Sequence, residues 1–155
     1  MKVRETAFKT CVFTLYVDTG RAPEFTDITD RVAQVLRDSE ILNGFALVFS
    51  KHTTAAITIQ EDEPLLLTDM KSTLERFAPS NAHYRHNDFA VRTVHMNEDE
   101  CPNGHSHCQH MVLGTSETVP VIDGSLALGE YQRVFVVELD PEKTQRQVLV
   151  QIMGV

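Results

Sequence analysis

A chain of 155 residues that is 42% hydrophobic and carries a formal charge of −8 is sized for one domain over residues 1–155 with its own core, and it excludes a disordered polymer. The acidic balance argues against a nucleic-acid partner, because such binding replaces counterions with Lys and Arg. No apolar run nears the roughly 18 residues of a membrane span, and the opening MKVRETAFKT has no secretory apolar stretch, so no membrane partner and a soluble, cytoplasmic protein are expected.

Alternating β-branched and aromatic residues over 5–18 predict a long strand, closed by Gly20 and Pro23. From Thr26, the spacing of Ile28, Val32, Val35 and Leu36 predicts a helix, with Thr26 or Thr29 as its cap and Asn43-Gly44 as its stop. The runs FALVFS (45–50) and TAAITIQ (54–60) read as strands separated by Lys51, His52 and Thr53. Pro64 opens a second helix reaching Phe77, with Leu66, Met70, Leu74 and Phe77 along one face. Residues 79–104 predict a long loop holding one short strand near Phe89–Val94. A short helix over 105–113 ends at Gly114, and four strands follow at 118–122, 125–129, 131–139 and 146–153. Asp123-Gly124 and residues 140–144 supply turns between them. This order predicts an α+β fold, mostly antiparallel β-sheet or sandwich with two or three helices.

Seven histidines are present, and six of them (His83, His86, His95, His105, His107 and His110) fall between residues 83 and 110. Such concentration favours metal binding or proton transfer over a plain solvated surface. In CPNGHSHCQH (101–110), His107 and His110 share one helical face while His105 points elsewhere. Cys101 and Cys108 could add thiolates, but their spacing lacks the pairwise pattern of structural zinc sites. The three cysteines in all, Cys11 included, suit a reducing compartment. His52 interrupts an apolar strand region beside the hydroxyls of Thr53 and Thr54, and Glu61, Asp62 and Glu63 precede the Pro64 helix. Those carboxylates have a structural explanation at a helix N-terminus, and they also form an oxygen cluster suited to Mg²⁺. His95 reads as structural, and Glu98-Asp99-Glu100 as a solvated face. No phosphate-binding glycine loop, zincin motif or serine elbow occurs.

The succession HTTAAITIQEDEP, Asp69, YRH (84–86), NGHSH (103–107), LGTSETVPV, DGSLALGEYQ and Arg146 resembles the YjbQ-like, or UPF0047, family. The resemblance implies a compact α+β fold assembled as a homotrimer, with a polar pocket near the subunit contacts. It also implies a secondary thiamine-phosphate synthase activity, in which an aminopyrimidine-methyl diphosphate and a thiazole phosphate join and diphosphate leaves. Family histidines carry over to His52, His86 and His107, which stand as candidate metal ligands. Glu61, Asp69, Gly124, Gly129, Gln132 and Arg146 carry over beside them, while His110, Cys101 and Cys108 are not family features. Tyr131 stands where a Trp is common.

Laid over these positions, the reaction assigns catalytic roles to His52, Glu61, His107 and Arg146. Substrate contacts fall to Thr53, Thr54, Asp69, Gly124, Gly129 and Gln132. Arg146 and a divalent metal would neutralise the leaving diphosphate, while Glu61 and the aromatic wall would steady a cationic carbon. Three imidazoles suit Zn²⁺ or another transition metal, whereas Mg²⁺ would accompany the substrate. The expected partner is a small phosphorylated molecule. Two other readings stay open: a metal-dependent hydrolase or transferase with Glu61 as general base, and a non-catalytic trimeric metal- or ligand-binding module.

Overall fold

The computed structural model describes residues 7–155; the first two residues of the strand predicted over 5–18 lie outside them. The elements run β1 (Lys9–Asp18), β2 (Glu24–Asp27), α1 (Thr29–Ser39), β3 (Gly44–Ser50), β4 (Ala55–Gln60), α2 (Pro64–Phe77), a 3-10 turn (Arg85–Asn87), α3 (Gly104–Leu113), β5 (Ser116–Ile122), β6 (Ser125–Leu126), β7 (Arg133–Glu138) and β8 (Gln145–Gly154). All strand pairing is antiparallel, in a five-stranded sheet β1-β8-β3-β5-β6 and a three-stranded sheet β2-β7-β4. The expected α+β architecture with three helices is what the chain adopts.

Alternation decides the layering, because successive side chains of a strand leave opposite faces. Val48, Val119, Val148, Val150 and Ile152 of the large sheet meet Ile57, Val134 and Val136 of the small sheet, and Val32, Val35 and Leu36 of α1 join the same core. The other face of the small sheet carries Ala56, Phe135 and Val137, which pack with Leu74 of α2 and with Leu113. Strand β7 is therefore buried on both faces, which explains its unbroken apolar run VFVV.

Several local expectations are corrected. Glu24–Asp27 forms a strand on the edge of β7, and Phe25 meets Phe135 edge to face with centroids 6.0 Å apart. A four-residue strand of this kind has almost no sequence signal and exists because a partner edge is available. Helix α1 stops at Ser39 rather than at Asn43-Gly44: Glu40 takes a left-handed φ of 57°, and Leu42 and Asn43 donate to the Val155 carbonyl. Its start has no side-chain cap; Asp27 instead accepts both the amide and the hydroxyl of Thr29. Helix α2 buries only Leu74, and Phe77 is 52% exposed. The strand expected near Phe89–Val94 is absent; the amides of Val91 and Arg92 both turn back to the Asp88 carbonyl. Asp123 and Gly124, at φ 49° and 73°, make the two-residue turn between paired Ile122 and Ser125. Both central residues of such a turn need positive φ, which the Asp-Gly pair provides.

Candidate functional site

Two loops and the first turns of α3 enclose a cavity of about 820 Å³. Its wall includes Thr53 and Thr54 before β4, Arg85, His86, Arg92, Glu100, Cys101, Asn103 and His107, and Asp140 and Lys143 after β7. Helix α3 reaches this position through a close approach: a Cβ on Gly104 would lie 2.5 Å from Tyr84 Cβ. The Gly104 amide donates to Asn87 Oδ1 at 2.9 Å, so the 3-10 turn and the helix start are locked together. That lock brings His86 and His107 edge to face, with ring centroids 4.6 Å apart.

Arg92 fastens the long loop around the cavity. It forms a close ion pair with Glu100, donates to His86 Nε2 at 3.1 Å, and donates to the carbonyls of His95 and Val94. Glu100 is only 12% exposed, so its charge belongs to this clasp and not to a solvated face. Because a guanidinium only donates, the contact uses the His86 Nε2 lone pair. His95, expected as structural, is exposed on the cavity rim.

Beneath the cavity lies a buried polar network. Arg146 is 4% exposed and Glu138 fully buried; the guanidinium meets the carboxylate through Nη2 and, at 2.7 Å, through Nε. Arg146 also donates to the Thr54 hydroxyl at 3.1 Å. Glu138 further accepts the Thr19 hydroxyl and the amides of Leu139 and Asp140. Asp140 in turn accepts from Thr54, Asn103 and the Glu142 amide. Burial pushes the Asp140 carboxyl up, but these donors outweigh it and hold the group below its ordinary value. Burial and the Asp140 charge push the neighbouring Cys101 thiol up to about 11.

The sequence-predicted residues separate into groups. His86, His107, Thr53 and Thr54 share the cavity. His52 does not line it, and its Nε2 accepts the Gln147 amide at 2.9 Å, fixing the ring by backbone contact. Arg146, expected at the diphosphate, is enclosed with Glu138. Glu61 and Tyr131 line a separate cavity of about 290 Å³ with Asp27, Asp62, Glu130 and Arg133. Asp69 is exposed on α2, Gly124 serves its turn, and Gln132 Oε1 accepts the Gly129 amide in another turn. Among the described residues no three His, Cys, Asp or Glu side chains group so as to hold a metal. With His52 pinned and Arg92 against His86 Nε2, the expected trio does not fit a transition metal within one chain. Sequence reasoning missed Arg92, Asn103, Asp140 and Lys143. Only the irregular composition of 79–104 hinted at the first two.

Burial lowers the affinity for protons of His52, His105, His107 and His110; nearby Arg146 adds to this at His52, and Arg92 at His107. Each is thus less readily protonated folded than unfolded. Their contribution to stability is complete above the ordinary value of 6.5 and is lost as pH falls below it. The urea midpoint should drop steadily between pH 7.5 and 5, and a flat profile across that range would refute this.

A two-sheet α+β sandwich with a polar, histidine-bearing cavity at one end defines the class of this protein. Residues 13–155 match the family model described as UPF0047 protein YjbQ-like, and the chain belongs to that family. It is 44% identical over 128 residues to a UPF0047 protein of Methanothermobacter thermautotrophicus, covering 83% of this chain and 82% of the relative. The fold is similar to the crystal structure of a YbjQ-like protein of unknown function from Sulfolobus solfataricus P2, with a TM-score of 0.86, 34% identity, and coverage of 96% and 100% of the two chains. A hypothetical protein from Aeropyrum pernix K1 gives a TM-score of 0.79 at 31% identity, over 95% and 99%.

Proposed function

We propose that the cavity binds a small phosphorylated molecule and that the protein is a transferase of the secondary thiamine-phosphate synthase kind. The observation carrying this reading is the meeting of His86 and His107 with Arg85 and Lys143 around one cavity. Among the described residues, Arg85 and Lys143 form no ion pair, unlike Arg92 and Arg146. They are therefore the cations free to neutralise a diphosphate, the role first given to Arg146. In the reaction, the bond from the pyrimidine methylene carbon to the diphosphate oxygen breaks. The neutral thiazole nitrogen supplies the electron pair for the new carbon–nitrogen bond, and diphosphate leaves with its pair. His107 donates a proton to that leaving oxygen. No step is routed through a resident metal. Purified protein given both precursors and Mg²⁺ is expected to form thiamine phosphate, and no product at any enzyme concentration would end this reading.

The same proposal includes self-association. The outer face of the large sheet exposes Val12 (58%), Tyr16 (57%) and Ile122 (56%), with Phe45 and Phe49 between them. Apolar side chains this exposed on one sheet face suit a protein–protein contact. Light scattering should give three times the 17.5 kDa chain mass, and a mass equal to one chain would remove the trimer.

A further inference from the structure

Asn103 stands at the start of α3, where an asparagine side-chain oxygen normally accepts a free helix amide. Here it does not: α3 has no side-chain cap. The Gly104 amide goes to Asn87 Oδ1, and the Ser106 and His107 amides go to the Asn103 backbone carbonyl. The side chain is instead turned to Asp140, with Nδ2 donating to Oδ2 at 3.1 Å. A carboxylate only accepts, so this contact fixes which end of the amide is nitrogen. Among the described residues, Asn103 Oδ1 is consequently left buried and without a partner, on a residue 9% exposed in the cavity wall. Asp140 is itself held by Thr54, Cys101 and the Glu142 amide, so the amide is tethered through its nitrogen while Oδ1 has no bond of its own to hold it away from a ligand.

We infer that Asn103 is a specificity-determining residue: its Oδ1 selects phosphate esters that also carry a hydroxyl or amino donor, within the cavity of Arg85 and Lys143. This rests on the reading of the cavity as a phosphate-ester site. A ligand hydroxyl or N–H gives Oδ1 its missing hydrogen, whereas an ester lacking such a donor leaves it unpaired on binding. Sites with a buried acceptor of this kind reject analogues that cannot donate to it.

Calorimetric titration with ethyl phosphate, 2-hydroxyethyl phosphate, 3-hydroxypropyl phosphate and 2-aminoethyl phosphate tests it, first on the unaltered protein. At least one donor-bearing ester should bind about tenfold more tightly than ethyl phosphate, the size of one hydrogen bond. In Asn103→Leu and Asn103→Ser that preference, measured as the ratio of the two affinities in each variant, should shrink to within about twofold. Equal binding of all four esters by the unaltered protein overturns the inference and leaves the phosphate reading standing. An undiminished preference in a folded variant overturns it as well. Failure of every ester to bind overturns the phosphate reading and the inference together.

Discussion

Replacing Arg146 with methionine is expected to lower the unfolding free energy by about 3–5 kcal/mol, because it leaves a buried carboxylate without its counter-charge. Glu138 has no exposure to solvent, so water cannot take the place of the lost guanidinium. The cost spreads along the network: Glu138 orients the Leu139 and Asp140 amides, and Arg146 holds Thr54. For a chain of this length the melting temperature should fall by about 10 °C. The double variant Arg146→Met, Glu138→Leu should recover most of the loss, since removing both charges removes the unpaired one. Urea titration of the three proteins decides the matter, and a single variant within experimental error of the parent would show that the pair carries no such weight.

His107→Ala should reduce thiamine-phosphate formation by about 10²–10⁴-fold, the usual contribution of a positioned proton donor. The side chain is half-buried in the cavity wall and makes no hydrogen bond among the described residues, so the variant should stay folded and still bind ethyl phosphate. Retained binding with lost turnover assigns the residue to the chemical step. The pH profile adds a second readout. Burial, with the Arg92 charge nearby, holds His107 below the ordinary imidazole value of 6.5, so the dependence of kcat/KM on its protonation should lie below that pH and disappear in His107→Ala. Turnover equal to the parent's would take His107 out of the mechanism.

These two substitutions mark where reading the chain succeeded and where it did not. His107 lies in a dense histidine segment, and the helix expected over 105–113 runs Gly104–Leu113, because the glycines at 104 and 114 bound it locally. Its companion His86 was named without any local reason to meet it; the Gly104–Tyr84 approach and the Asn87 bond bring them together. Arg146, expected at the leaving diphosphate, is enclosed with Glu138 instead, and that setting is not legible in the sequence. Its place on a strand gives no hint that Glu138, eight residues away, faces it in the interior.

Alternation, helical spacing, Pro64 and the Asp123-Gly124 turn determined by themselves the order of most strands and all three helices, since each depends on residues within one or two turns of chain. The antiparallel α+β class follows from that order. Only the tertiary structure decided that Glu24–Asp27 becomes a strand, that His52 is spent on the Gln147 amide, and that Asn103, Asp140 and Lys143 join the histidines. Such outcomes depend on which edges and side chains are brought together from distant segments, and no window of sequence encodes a contact whose partner lies 95 residues away.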